Sequence, residues 1–138
     1  MKLNSIHHIA IIVSDYARSK HFYTEILKLE IIHETFREER NSYKLDLALN
    51  GEYIIELFSF PNSVPRSSYP EALGLRHLAF DVDNISEAID DLRAKGLSVE
   101  DVRIDPITGK SFTFFQDPDG LPLELYERKD YNGYSDYA

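Results

Sequence analysis

The strongest constraint on the fold is an internal repeat, because a duplicated pattern fixes the architecture of both halves at once. The stretch HIAIIVSD, which begins at His8, aligns with HLAFDVDN, which begins at His77, 69 positions later. Two turn glycines, Gly51 after Asn and Gly120 after Asp, are separated by the same 69 positions. The 138 residues therefore consist of two related modules of similar length.

Each half has the pattern of one strand, one helix and three further strands. In the second half, apolar residues at i, i+3, i+4 and i+7 from Ile85 predict an amphipathic helix, with Asn84 as its N-cap and Gly96 at its end. The first helix is less regular and is predicted from an Asp15 cap up to Leu29. The later strands are predicted at residues 30–36, 42–49 and 53–58, and at 98–104, 111–116 and 121–126.

The predicted fold is therefore α+β, with two tandem βαβββ modules. Module 1 is expected at residues 5–60, a proline-rich linker at 61–74 and module 2 at 75–127, all within one domain of residues 1–138. The tail, residues 128–138, has tyrosines but no clear period, and fits either a frayed end or a segment that packs on a neighbouring subunit.

Composition excludes several classes of function. The chain has no Cys, which excludes disulfides, thiolate metal sites and cysteine nucleophiles. Its 24 acidic residues outnumber 15 basic ones, and the net charge of −9 argues against nucleic-acid and membrane partners. The apolar run near the N-terminus is too short for a signal peptide or a membrane span, so a cytoplasmic location is expected.

Four side chains stand out as a candidate metal site. Strand alternation places His8 and His77 on the sheet face away from the helix, each two residues before a small Ala. Glu56 and Glu124 lie within apolar strands, where an ionised carboxylate is costly unless it is paired or bound to a cation. Imidazole and carboxylate donors suit one divalent ion such as Zn²⁺, Ni²⁺, Co²⁺, Fe²⁺ or Mn²⁺.

Simpler roles exist for the same residues. A strand histidine is more often an ordinary core or surface residue than a ligand, and a glutamate in an apolar strand can pair with Arg76 or Lys44 instead. His7 is expected to point to the face opposite His8 and to have no role in the site.

At these residues the sequence resembles the vicinal oxygen chelate superfamily, and within it the glyoxalase I branch. The resemblance rests on the paired modules, on His8, Glu56, His77 and Glu124 at the four metal-ligand positions, and on the stretches DYARSKHFY and FFQDPDGLPLE. It covers the chain from about residue 6 to residue 127.

The resemblance implies a U-shaped mixed sheet around one divalent metal ion, with Zn²⁺ or Ni²⁺ expected. It also implies a lactoylglutathione lyase-like activity, in which the hemithioacetal of methylglyoxal or another 2-oxoaldehyde becomes a 2-hydroxyacyl thioester through enediolate proton transfer. Glu124 is the first choice for the catalytic base, with Glu56 able to act on the opposite face of the substrate. A cytoplasmic homodimer acting on a small molecule is implied.

Two positions depart from the pattern of glutathione-using relatives. Ile12 and Phe60 stand where those enzymes carry an Arg and an Asn that hold the glutathionyl group, so the thiol co-substrate is left open. Substrate-binding candidates are the cations Arg37 and Lys110 and the aromatic residues Phe112 and Phe114.

Other functions within the same fold remain alternatives. They are an extradiol-type dioxygenase, an epimerase, a thiol transferase and a drug-sequestering binding protein without catalysis. Glu56 argues against the dioxygenase, because a fourth protein ligand occupies a position that oxygen and a catechol need.

Overall fold

The computed structural model describes residues 1–128, so the predicted tail lies outside the described residues from position 129 onward. The chain divides into two compact units, Met1–Pro65 and Arg66–Ala138. Each unit contains one βαβββ module, as the repeat predicts. Within residues 1–128, no helix is long and apolar enough to cross a membrane.

The elements follow the predicted order. Module 1 contains strands β1 (Ile9–Val13), β2 (Glu30–Arg37), β3 (Ser42–Leu49) and β4 (Glu52–Ser59). Between β1 and β2 lie helix α1 (Tyr16–His21) and a short π-helix (Phe22–Ile26), and a 3-10 turn (Glu38–Arg40) precedes β3. Module 2 contains strands β5 (Leu78–Val82), β6 (Arg103–Ile104), β7 (Ser111–Gln116) and β8 (Pro122–Glu127), with helix α2 (Ile85–Ala94) after β5.

Each module forms a four-stranded mixed sheet, with the strand orders β1-β4-β3-β2 and β5-β8-β7-β6. The first and fourth strands of each module are parallel, and the other neighbours are antiparallel. The β3–β4 hairpin is tight because Asn50 (φ 51°) and Gly51 (φ 80°) both adopt the left-handed conformation that its two-residue turn requires. The predicted α+β class and the two tandem modules are confirmed.

One face of each sheet is apolar and packs under its helix. The core of module 1 includes Val13, Leu45, Leu47, Ile55 and Leu57, all fully buried. We call the other face the carboxylate face. In module 1 it carries Ala10, Asp46 and Glu56, and in module 2 it carries Ala79, Phe114 and Glu124.

Helix α2 begins as its sequence predicts. The Asn84 side chain accepts a hydrogen bond from the Glu87 N–H at 3.1 Å, which is the predicted N-cap. A carboxylate oxygen of the buried Glu127 on β8 accepts a hydrogen bond from the Ile85 N–H, also at 3.1 Å. The start of the helix is thereby fixed to the sheet.

The first helix differs from its prediction. Asp15 caps it as expected, accepting from the Arg18 N–H at 3.1 Å, but α-helical geometry ends at His21 and a π-helix follows. The Thr24 hydroxyl donates to the Lys20 carbonyl at 2.7 Å, so the side chain competes for the carbonyl that an α-helix would use. The predicted helical segment is therefore present over residues 16–26, but its second half is not α-helical and it ends before Leu29.

The strand predicted at residues 98–104 is also mostly wrong, because only Arg103–Ile104 pairs as a strand. The preceding segment attaches to β7 through Glu100, whose N–H donates to the Phe114 carbonyl at 2.9 Å. The Glu100 carbonyl accepts from the Thr113 hydroxyl at 2.7 Å. One backbone and one side-chain hydrogen bond thus hold this segment in place of a continuous backbone ladder.

A β-bulge in β4 explains why the two glutamates are 68 positions apart while the two histidines are 69 apart. Leu47 pairs with Ile55 and Ala48 pairs with Tyr53, so Ile54 is skipped in the pairing with β3. The β7–β8 pairing of module 2 runs without such a shift. Module 1 therefore contains one extra residue between its hairpin turn and its glutamate.

Candidate functional site

The candidate ligands of module 1 are adjacent in the structure. His8 immediately precedes β1, and Glu56 lies on β4 opposite Ala10. The small Ala10 leaves space above the sheet, and His8 Nε2 lies 3.3 Å from Glu56 Oε1. The glutamate side chain is only 12% exposed and the histidine side chain 35% exposed. The pair thus combines a nearly buried carboxylate with an imidazole that solvent can reach.

Module 2 repeats this arrangement. His77 immediately precedes β5, Glu124 lies on β8 opposite Ala79, and His77 Nε2 lies 3.0 Å from Glu124 Oε2. The exposed fractions, 13% for the glutamate and 34% for the histidine, nearly equal those of module 1. Position, distance and burial therefore agree between the two pairs.

The donor atoms of both pairs fit a divalent cation. Each pair presents one carboxylate oxygen and one imidazole nitrogen, which are ligands of Zn²⁺ and Ni²⁺ in proteins. A carboxylate that is nearly buried has lost hydration that a cation would replace. Within residues 1–128, no group of three or more His, Asp or Glu side chains lies together as a ready cation site. The fit therefore rests on the two pairs, each within its own module.

Polar side chains surround Glu56. The Tyr53 hydroxyl lies 2.5 Å from Glu56 Oε2 and 2.8 Å from Asp46 Oδ1. Lys44 Nζ lies 3.2 Å from Asp46 Oδ1 and 3.5 Å from Glu56 Oε2. The ion pair with Lys44, one of the two simpler alternatives for this glutamate, is thus present, whereas Arg76 pairs with Glu71 at 3.6 Å. These contacts hold Glu56 in one position on the sheet.

Burial, together with hydrogen bonds to Glu56 and Asp46, raises the pKa of Tyr53 far above its ordinary value. The phenol therefore stays protonated and acts as a donor, although its single hydrogen serves only one carboxylate at a time. Burial lowers the pKa of Lys44, but the hydrogen bonds and charges of Asp46 and Glu56 outweigh it, and the net shift is upward. Both groups therefore remain donors to Glu56 at neutral pH.

On the strand next to Glu124, the side chains of the same face are aromatic. Phe114 lies opposite it on β7, and the Phe114 ring meets the His77 ring edge-on at 5.2 Å. Phe112 lies opposite Tyr126, the next residue of β8 on the same face. The equivalent positions of module 1 hold Asp46 and Lys44. One glutamate therefore has polar neighbours on the adjacent strand and the other has aromatic ones.

Arg103 is a site residue that sequence reasoning missed. Its guanidinium carbon lies 5.1 Å from the Phe112 ring centre and 5.4 Å from that of Phe114. Its position depends on the pairing of β6 with β7, in which Arg103 lies opposite Phe112. The loop at residues 105–110 sets that register, and its length alone does not predict it.

The prediction that His7 points to the face opposite His8 is wrong. His7 Nδ1 lies 2.8 Å from His8 Nδ1, and the His7 ring lies 5.1 Å from the Tyr53 ring. Both histidines precede the first residue of β1, so strand alternation does not apply to them. His7 therefore contacts the nitrogen of His8 that faces away from Glu56, which is where partners that orient a metal ligand bind.

The remaining substrate-binding candidates, and the two positions that depart from the glutathione-binding pattern, lie at separate places. Arg37, at the end of β2, packs its guanidinium over Phe58, and Lys110 lies in the loop before β7. Ile12 is 57% exposed on the carboxylate face, opposite Phe58. Phe60 stacks on Phe58 with ring centres 5.9 Å apart. Position 12 therefore offers an apolar surface, and position 60 supports a neighbouring ring.

Comparisons with known proteins identify the family and the fold. A family model described as the Glyoxalase/Bleomycin resistance protein/Dioxygenase superfamily matches residues 5–125. The uncharacterized protein YwkD of Bacillus subtilis (strain 168) is 62% identical over 128 residues, covering 93% of this chain and 100% of that protein. The lactoylglutathione lyase of Escherichia coli O157:H7 is 34% identical over 131 residues, covering 89% and 92%.

A solved structure gives the same result for the fold. The crystal structure of a glyoxalase family protein from Enterococcus faecalis is 50% identical in sequence and superposes with a TM-score of 0.86. The match covers 92% of this chain and 100% of that one.

Proposed function

The chain belongs to the Glyoxalase/Bleomycin resistance protein/Dioxygenase superfamily, and on that premise we propose that it is a metal-dependent glyoxalase I-like lyase or isomerase. Its substrate is the hemithioacetal that methylglyoxal or another 2-oxoaldehyde forms with a thiol, and its product is a 2-hydroxyacyl thioester. The observation that carries the proposal is the presence of two His–Glu pairs at equivalent positions of the two modules.

His8, Glu56, His77 and Glu124 are the proposed metal ligands. Both glutamates are nearly buried beside an imidazole, which is the environment in which a carboxylate gains most from a cation. The bound ion, Zn²⁺ or Ni²⁺, would act as a Lewis acid on the adjacent oxygens of the substrate. This four-ligand set with two carboxylates favours proton transfer over dioxygen chemistry, which needs more open positions on the metal.

The reaction moves one proton between neighbouring carbons. This proton leaves the carbon that bears the sulfur and is added to the neighbouring carbonyl carbon. The hydroxyl proton on the sulfur-bearing carbon passes to the former carbonyl oxygen. No oxidant or reductant is consumed. A carboxylate in reach of both carbons can carry the proton as general base and then as general acid.

Glu124 is the proposed base. Its neighbours on the carboxylate face include Phe114, Tyr126 and the small Ala79, and among residues 1–128 its polar contact is His77. Glu56, by contrast, is held by Tyr53 and Lys44. A carboxylate that carries a proton between two carbons must change its position and its hydrogen bonds, which costs less for Glu124 than for Glu56. Glu56 is accordingly the more fixed ligand, able to act on the opposite face of the substrate.

Reconstitution tests the function. Metal-free protein would be loaded separately with Ni²⁺ and Zn²⁺, and thioester formation from methylglyoxal would be followed with a panel of thiols that includes glutathione. We expect activity that depends on the metal and on one class of thiol. A chain that folds but binds neither metal, or that binds metal and forms no thioester with any thiol, would contradict the proposal. Light scattering on the same samples tests the implied homodimer.

A further inference from the structure

Two arginines in module 1 pack against a pair of stacked phenylalanines. The Arg37 guanidinium carbon lies 4.9 Å from the Phe58 ring centre and 5.7 Å from that of Phe60. The Arg40 guanidinium carbon lies 5.1 Å from the Phe60 ring centre. The two rings are nearly parallel, at 12°. We call these four residues the arginine clamp.

The arginine clamp lies on the carboxylate face of sheet 1. Phe58 follows Glu56 by two residues on β4, so both side chains point to the same face. Lys44 of β3 lies opposite Phe58 of β4. Lys44 Nζ lies 3.5 Å from Glu56 Oε2, so the side chains of Lys44, Glu56 and Phe58 are all on the carboxylate face. The clamp therefore begins one side-chain position, or roughly 7 Å, from the proposed metal ligand.

The positive charges of the clamp have no acidic partner among residues 1–128. Ion pairs join several cations of this chain to carboxylates, but none of them includes Arg37 or Arg40, although Glu38 and Glu39 separate the two in sequence. Other described cations, such as Arg18, also lack an ion pair, so what distinguishes Arg37 and Arg40 is that they lie together against one aromatic ring. Both charges lie against the same Phe60 ring and repel each other.

Arg37 is also held in place with an incomplete set of hydrogen bonds. Its Nη2 donates to the Ser42 hydroxyl at 3.0 Å, while its Nε is buried and has no hydrogen-bond partner among the described residues. A buried N–H without an acceptor costs free energy, and an oxyanion is the ligand that a planar guanidinium binds best, here through the N–H groups that solvent can reach. The ring beneath the guanidinium restricts its orientation, so little entropy remains to be lost on binding.

We propose that the arginine clamp binds an oxyanion, a carboxylate or a phosphate, on the substrate or its thiol co-substrate. Its position as a substrate site rests on the proposed function, because that function identifies the carboxylate face as the side where the reaction occurs. The anionic group would be the end of the molecule remote from the carbons that exchange the proton. Arg37 and Arg40 are thus residues that determine which substrate is bound.

An arginine of module 2 has similar packing at a different register position, equivalent to Thr35 of module 1, and differs in one further respect. Arg103 also packs over two phenylalanines, but its Nη2 lies 4.0 Å from a Glu100 carboxylate oxygen. Its charge is thereby partly neutralised within the chain. The clamp in module 1 is therefore the stronger candidate for an external anion.

Binding of simple anions tests the proposal. Inorganic phosphate and malonate would be titrated into the full chain at constant ionic strength, with neutral malonamide as the comparison. Binding would be followed by calorimetry and by the NMR signals of the arginine Nε–H groups. Both the metal-free and the Zn²⁺-loaded forms would be used, so that an anion bound to the metal is separated from one bound to the arginines.

We expect one of the two anions to bind in both forms and to shift the Arg37 Nε–H signal. Preference for phosphate or for malonate would identify the anionic group. Arg40→Ala should weaken binding about tenfold, since a charge-assisted hydrogen bond is lost. Arg37→Lys keeps the positive charge but loses the planar guanidinium group, and should also weaken anion binding. Arg18→Ala removes an exposed charge on α1 and is the matched control.

Three results would overturn the proposal. The first is that no anion binds to the wild-type chain. The second is that Arg40→Ala and Arg37→Lys, with folds shown to be intact by circular dichroism, bind the anion as tightly as the wild type. The third is that Arg18→Ala loses as much anion affinity as Arg40→Ala. These outcomes do not depend on isomerase activity. Anion binding by the arginine clamp can therefore be refuted while the proposed isomerase function stands, and the isomerase function can be refuted while anion binding stands.

Discussion

The Tyr53 hydroxyl lies 2.5 Å from the Glu56 carboxylate, across a position where regular strand alternation would place the two side chains on opposite faces. The bulge at Ile54 brings them to the same face. Module 2 has no such shift in its β7–β8 pairing, and its glutamate lies beside Phe114. Two modules with the same topology thus hold their carboxylates differently.

Removal of the Tyr53 hydroxyl should weaken the proposed metal site. In Tyr53→Phe the ring remains but Glu56 loses a donor that orients it, and loss of such partners costs about 10- to 100-fold in metal affinity or activity. Competition with a coloured chelator measures the affinity. Tyr43→Phe, on the neighbouring strand and stacked on Tyr16, is the control. Unchanged zinc affinity in Tyr53→Phe would show that the hydroxyl has no such role.

Substitution of the two glutamates should separate their roles. Glu124→Gln should lower kcat by at least about 100-fold, since a general base is removed, and should leave the fold intact. Glu56→Gln should weaken metal binding and retain more activity once the metal is saturating. Glu52→Gln, an exposed change at the start of β4, is the control. Turnover of Glu124→Gln at the wild-type rate would refute its assignment as the base.

Metal should stabilise the folded chain as well as activate it. A ligand bound only by the folded state adds about 2.7 kcal/mol to the free energy of unfolding at a concentration 100 times its Kd. Thermal unfolding with and without Zn²⁺ should show this increase. His8→Ala and His77→Ala should each reduce it, whereas His21→Ala, on α1, should not. If zinc raised the Tm equally in the wild type and in all three histidine variants, the zinc would be bound by residues other than His8 and His77.

Glu34 should make a contribution to stability that depends on pH. A hydrogen bond from Lys20, at 2.8 Å, and a second from Tyr16 hold the pKa of Glu34 below its ordinary value. A depressed carboxyl pKa stabilises the fold above the unfolded pKa of about 4.3, and that stability is lost as the pH falls through the folded pKa. The side chain is 36% exposed, so the effect is small, roughly 0.5 kcal/mol.

Urea unfolding at several pH values measures this contribution. Glu34→Gln should be less stable than the wild type at pH ~7, and the difference should shrink below about pH 4. Glu25→Gln, an exposed change in the same module, is the control. A difference that stays constant across this range would mean that the charge of Glu34 contributes nothing.

Local sequence signals predicted the elements that depend on local chemistry. Asn84 caps its helix, and the turn at Asn50 and Gly51 sets the hairpin. The strands at 42–49 and 111–116 have the predicted bounds. The errors arise where a side chain replaces a backbone bond, as Thr24 does in the first helix and Thr113 does beside residues 98–102. Propensity does not report such competition.

The candidate site was predictable in part. The His–Glu pair of each module follows from the repeat and from carboxylates in apolar strands, and both pairs are present. Tyr53 was not predictable as a partner of Glu56, because alternation assigns it to the other face and the bulge appears only in the paired register. Arg103 required the register of β6 against β7 in the same way.

The bulge at Ile54 also determines how the two halves of such a chain should be aligned. The extra residue lies inside a strand, whereas insertions are usually placed in loops, and the hairpin turns of the two halves stay in step. An alignment that counts forward from the turn therefore matches Glu124 with Ile55, whose side chain is fully buried in the core. Two duplicated halves can thus keep their turns aligned while their functional residues differ by one position, and only a comparison made strand by strand recovers the equivalence.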